Sequence, residues 1–242
     1  MTPSATAGGI PRRPRGHGVT NVPERLWVAL LVRALPAAAA ALVITFTQEY
    51  TPAYSFVVFG AFALATGVLI GFEAVGIPFH PARGLTFLRS IVSAIAGGAA
   101  LVFGAVPHLA TAGGFIWHVA IWAVVTGLLE LIAAWRVRRL PLFAREVLIS
   151  GALTLLFGIV IALVPPDLNA SYGGTEHIEG ALTATVQSTG LLGAFAAMLA
   201  VVLIIEGITL RGITRRSTAA PGGDAGAEAD VADNTHNESM ED

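Results

Sequence analysis

Three glutamates stand inside long apolar runs of this chain, Glu73, Glu130 and Glu206, and three arginines accompany them. Arg33 lies within the first apolar run, and Arg89 and Arg145 lie near the starts of two others. A charged group in hydrocarbon costs roughly 2.5–3.5 kcal/mol by insertion scales, so such groups pair with one another or face a wet cavity. The spacing fits three ion pairs: Arg33 with Glu73, Arg89 with Glu130, and Arg145 with Glu206. Two chemistries are open to such a set. One is structural neutralisation, helped by snorkelling, since Glu206 precedes Arg211 by little more than one turn. The other is a proton relay or substrate path.

His108, His118 and His177 form a second set. Imidazole titrates between about pH 5 and 8, so these residues are the candidates for sensing external pH, with Glu176 and Glu179 flanking His177. The competing reading makes them solvated loop residues and one interfacial ring. Cysteine is absent, which excludes thiol chemistry, disulfides and cysteine metal sites. No HExxH, GxSxG or Walker loop occurs, so no catalytic, cofactor-binding or metal site is expected, and no enzyme.

Composition defines what must position these groups. Hydrophobic residues make up 55% and charged residues 12%, with a mean hydropathy of +0.73. A soluble domain is about one-quarter charged, so this is an integral membrane protein. Six all-α membrane spans are expected near residues 26–46, 54–75, 85–106, 115–135, 147–164 and 189–210, each long enough for a hydrocarbon core of roughly 30 Å. The first run exceeds the roughly 7–15 residues of a signal-peptide core, which makes it a retained anchor. Residues 1–24 lack apolar periodicity and are expected to be a disordered segment. Residues 25–216 form the membrane domain, and 217–242 a disordered acidic tail.

Every basic residue is arginine. Arg12, Arg13, Arg15 and Arg25 precede span one; Arg83 and Arg89 follow span two. Arg136, Arg138, Arg139 and Arg145 follow span four, and Arg211, Arg215 and Arg216 follow span six. The intervening loops have neither Lys nor Arg, so the positive-inside rule places both termini in the cytoplasm. Trp27 and Trp135 at inner ends, and Tyr50, Tyr54 and Trp117 at outer ends, suit the interfaces.

Small residues provide packing faces. Gly67 and Gly71 make a GxxxG; Gly127 lies on span four; Ser150, Thr154 and Gly158 recur every fourth residue on span five, allowing close backbone approach within the chain or in a homo-oligomer. Self-similarity accompanies them. LVFG at 101–104 echoes LLFG at 155–158, and 125–139 lies over 201–216 with Glu130 opposite Glu206. Spans three-four and five-six therefore read as two copies of one helical hairpin, with one-two a looser third copy.

One helix of this hairpin carries Gly151, Phe157, Gly158 and Pro165; the other carries Trp122, Thr126, Gly127, Glu130, Trp135, Arg136, Arg138 and Arg139. The pattern resembles the HdeD-like small integral membrane proteins associated with bacterial acid resistance, over roughly residues 85–216. The resemblance implies a six-span bacterial inner-membrane protein with a part in acid stress and no catalytic residues to carry over. The acidic tail lies outside the pattern. Expected partners are the lipid bilayer, further copies of the chain or other membrane proteins, and not nucleic acid. Two functions follow: a non-catalytic membrane protein acting under acid stress, or a small transporter or proton pathway using the Glu and Arg set.

Overall fold

The computed structural model describes residues 26–47, 50–76, 82–138, 141–173 and 179–219. They form six helices: α1 (Leu26–Phe46), α2 (Pro52–Gly76), α3 (Arg83–Ala105), α4 (Ala112–Arg136), α5 (Pro141–Ala162) and α6 (Ala184–Ala219). The expected disorder of 1–24 and of the tail beyond Ala219 lies outside the described residues. Five of the helices, all but α5, are long and apolar enough to cross a membrane. The apolar part of α5, Val147–Ala162, is shorter than the 147–164 expected. Arg145 stands just ahead of this apolar part, and the helix ends ahead of Pro165 and Pro166, which cannot extend a helix.

Local chemistry sets the helix ends. Pro52 and Pro141 open α2 and α5, where a missing N–H costs nothing. Thr111 caps α4 by accepting from the Gly114 amide at 3.1 Å. At the end of α1, Tyr50 donates to the Ile44 carbonyl at 2.8 Å and Tyr54 to Val43 at 3.2 Å, which satisfies carbonyls the helix leaves open. The loop before α6 departs from the plain polar loop expected. It is an antiparallel hairpin of β1 (Asn169–Gly173) and β2 (Glu179–Thr183), with Asn169 opposite Thr183.

The helices form a closed ring in which α1 packs against α6. The intimate pairs are α2 with α3, α4 with α5, and α6 with α1; the other neighbours pack more loosely. The even helices also touch one another, so they form the inner trio with the odd helices outside. Glycine explains where the tight contacts fall. A Cβ on Gly67 would lie 2.7 Å from the Ala94 amide on α3, one on Gly127 2.7 Å from Leu155 on α5, and one on Gly207 2.9 Å from Leu31 on α1. Hydrophobicity does not drive helices together in lipid; such close backbone contact does.

Burial runs in step along the helices. Residues 55–75 of α2 and 115–135 of α4 show the same order of buried and exposed positions, differing only where half-buried Glu73 meets buried Ala133. Residues 188–208 of α6 follow the same order at nearly every position. In this frame Glu206 falls opposite Glu73, while Glu130 falls opposite Leu203. Glu130 and Glu206 are thus one turn out of the register expected from sequence. On the odd helices, Arg33, Arg89 and Ser150 share one position of the frame.

Candidate functional site

The charged residues converge at the end of the bundle where α2 meets α3 and α4 meets α5. Arg33 Nη1 on α1 lies 3.3 Å from Glu73 Oε2 on α2. Arg89 Nη1 on α3 contacts Glu130 Oε1 on α4, and these two side chains are 10% and 4% exposed. Both pairs therefore bridge the looser interfaces of the ring. A partly open cavity of about 70 Å³ joins them, and Arg83 and Glu206 also line it.

Arg145 is not brought to Glu206. It stands exposed on α5 and does not line the cavity. The helical repeat gives the reason, since Arg145 and buried Thr154 are about two and a half turns apart and so on opposite faces. The position on α5 equivalent to Arg33 and Arg89 holds Ser150, whose hydroxyl donates to Glu130 Oε1 at 3.1 Å. Sequence reasoning took Ser150 for a packing residue and missed this bond. Only knowledge of the frame shared by the odd helices would have revealed it.

The small residues serve contact, but not identically. Gly67 and Gly127 admit neighbouring backbones, whereas a Cβ on Gly71 would meet the Ser90 hydroxyl at 2.7 Å. A Cβ on Gly158 would lie 2.9 Å from the Val124 amide, and Thr154 donates to the Ser150 carbonyl at 2.9 Å.

Beyond the cavity the interior is aromatic. Trp122, about 12 Å along α4 from Glu130, packs edge-on against Phe59, Phe62 and Phe195, with centroids 5.1, 6.0 and 6.4 Å away. Its indole N–H donates to Ser93 at 3.2 Å. Phe157 stacks on Phe195 at 4.3 Å.

The histidines do not form a set. His108 is exposed in the turn between α3 and α4. His118 is half-buried among Phe56, Phe59 and Phe103, and its Nε2 lies 2.9 Å from the Ala96 carbonyl, which requires Nε2 to carry the hydrogen. His177 lies outside the described residues. Among the described residues no group of three His, Cys, Asp or Glu could hold a metal ion, the three cavity glutamates included.

What the arrangement can do is hold buried charge in pairs around a partly open cavity whose walls are otherwise largely apolar. The class this defines is a helical membrane protein with an internal charge cluster. No family model, curated protein or solved structure matches the chain.

Proposed function

We propose that the chain is a non-catalytic polytopic protein of a bacterial inner membrane, crossing six times with both termini cytoplasmic, and contributing to resistance to acid stress. Six crossings are supported by the ring, which needs α5 as its closing member between α4 and α6. The common burial frame supports three copies of one helical hairpin, α1–α2, α3–α4 and α5–α6. The charge segregation of the loops supports the orientation. The acid-stress role rests on the resemblance to HdeD-like proteins.

One observation carries the choice against transport. Among the described residues, the side chains that line the charged cavity include none of Phe59, Phe62, Trp122 and Phe195, whose layer lies about 12 Å farther along α4. Transporter sites lie near the midplane and open alternately to both faces. The test is proton and solute flux in proteoliposomes, together with acid survival of cells lacking the protein. The expected results are no flux above protein-free vesicles and reduced survival. Flux abolished by a Glu130→Gln, Glu206→Gln double variant would install the transport reading, and unchanged survival would remove the acid-stress role.

A further inference from the structure

Glu130 and the arginines near it leave hydrogen-bonding capacity unused inside the cavity. Among the described residues, Glu130 Oε2 and the Nε atoms of Arg33 and Arg89 are buried without a partner. All three side chains line the cavity. An acceptor and two donors belonging to side chains that line one space suit a guest that both accepts and donates. The ion pairs already neutralise one another, so a lone ion has no excess charge to recognise. Small, uncharged and amphoteric as a hydrogen-bonding partner, water meets these terms.

We propose that the cavity is a water-filled inlet that ends blindly short of the aromatic layer, and that Glu130 exchanges protons with this water. It rests on the reading of the chain as membrane-spanning, and on neither the acid-stress role nor the orientation. The atoms assign the step. Oε1 of Glu130 is engaged by Arg89 and Ser150, so Oε2 receives the proton from a hydronium in the inlet, leaving water and a neutral carboxylic acid.

The groups around the cavity set the consequence. They are Arg33 from α1, Glu73 from α2, Arg83 and Arg89 from α3, and Glu206 from α6, while α5 supplies the Ser150 hydroxyl. A neutral Glu130 releases Arg89 from its pair, and the guanidinium then shares the cavity with two remaining carboxylates. Protonation thereby loosens the α3–α4 contact and tightens the others around the same space.

The absence of cysteine makes the test direct. Ser150→Cys and Ser93→Cys place single thiols at sites only 4% and 1% exposed, one on the inlet and one bonded to Trp122 beyond it. The full chain in proteoliposomes is treated with a small, membrane-impermeant, cationic methanethiosulfonate. Expected is at least tenfold faster labelling of Ser150→Cys than of Ser93→Cys, from one face only; that face reports orientation separately. Equal rates at the two sites, or no labelling of either, overturn the inlet.

Proton exchange is read by infrared difference spectra on acidification. A carboxylic-acid band that shifts in Glu130→Asp and persists in Glu73→Gln supports the assignment. A band unaffected by Glu130→Asp, or no band, overturns it. The conservative Asp variant carries this test even if Glu130→Gln fails to fold.

Discussion

Arg89 and Glu130 meet through a single carboxylate oxygen: Oε1 takes the guanidinium and the Ser150 hydroxyl, while Oε2 has no partner among the described residues. One carboxylate thus ties α3, α4 and α5 together, across one loose interface of the ring and one tight one. Removing one partner strands a buried charge, at a cost of about 3–5 kcal/mol. Arg89→Glu or Glu130→Arg alone should therefore lower the thermal midpoint of the detergent-solubilised protein sharply. The double exchange should recover much of the loss. A double variant no better folded than either single change would remove the pair as a source of stability.

Gly97 and Gly98 are adjacent on α3 and should respond in opposite directions to the same substitution. A Cβ on Gly97 would collide with the Leu64 amide and lie 2.8 Å from the Gly60 carbonyl, whereas one on Gly98 meets nothing within 4 Å. Gly97→Ala forces α2 and α3 apart and is expected to destabilise by about 1–3 kcal/mol. Gly98→Ala reduces the freedom of the unfolded chain and should stabilise by about 0.4–1 kcal/mol. Thermal unfolding of the two variants decides it, and equal behaviour would mean that α2 and α3 do not approach this closely.

The apolar helices were legible because hydropathy is local. The expected 26–46 coincides with α1, and the other expected spans overlap their helices, with α6 extending well beyond 189–210 at both ends. What sequence could not supply was which helices lie together. Hairpin logic favours the chain neighbours α1–α2, α3–α4 and α5–α6, yet the tight pairs are chosen by glycines facing across the α2–α3 and α4–α5 connections and between α1 and α6. LVFG and LLFG suggested a repeat, but matched letters gave a register two turns from the burial frame, in which Gly97 and Gly158 correspond. Arg33 with Glu73 and Arg89 with Glu130 followed from charge economy in lipid. Arg145 did not, because counting arginines does not say which face of α5 each occupies.

His118 and His108 should separate cleanly. His118 donates to the Ala96 carbonyl and meets three phenylalanine rings edge-on or tilted. His118→Leu removes one hydrogen bond worth about 0.5–1.5 kcal/mol and ring contacts of similar size. A loss of roughly 1–3 kcal/mol is expected, while exposed His108→Gln should change stability by less than about 0.5 kcal/mol. Chemical denaturation in mild detergent measures both, and a silent His118→Leu would show that the aromatic cage contributes nothing.

Trp122 is the centre of the aromatic layer that lies beyond the cavity. Its ring fills the space between Phe59, Phe62 and Phe195 while its N–H fixes its orientation against Ser93. Trp122→Phe keeps an aromatic plug and forfeits one neutral hydrogen bond, about 1 kcal/mol. Trp122→Ala leaves a void in a packed layer, costs about 3–5 kcal/mol, and is expected to open that layer toward the charged cavity. Ser93→Cys, unreactive in the otherwise intact protein, should accordingly become reactive toward a membrane-impermeant thiol reagent in the Trp122→Ala background but not in the Trp122→Phe background. Reactivity that stays low behind the alanine substitution would place the seal elsewhere in the bundle, and reactivity that rises equally with phenylalanine would assign the seal to the hydrogen bond and not to the ring.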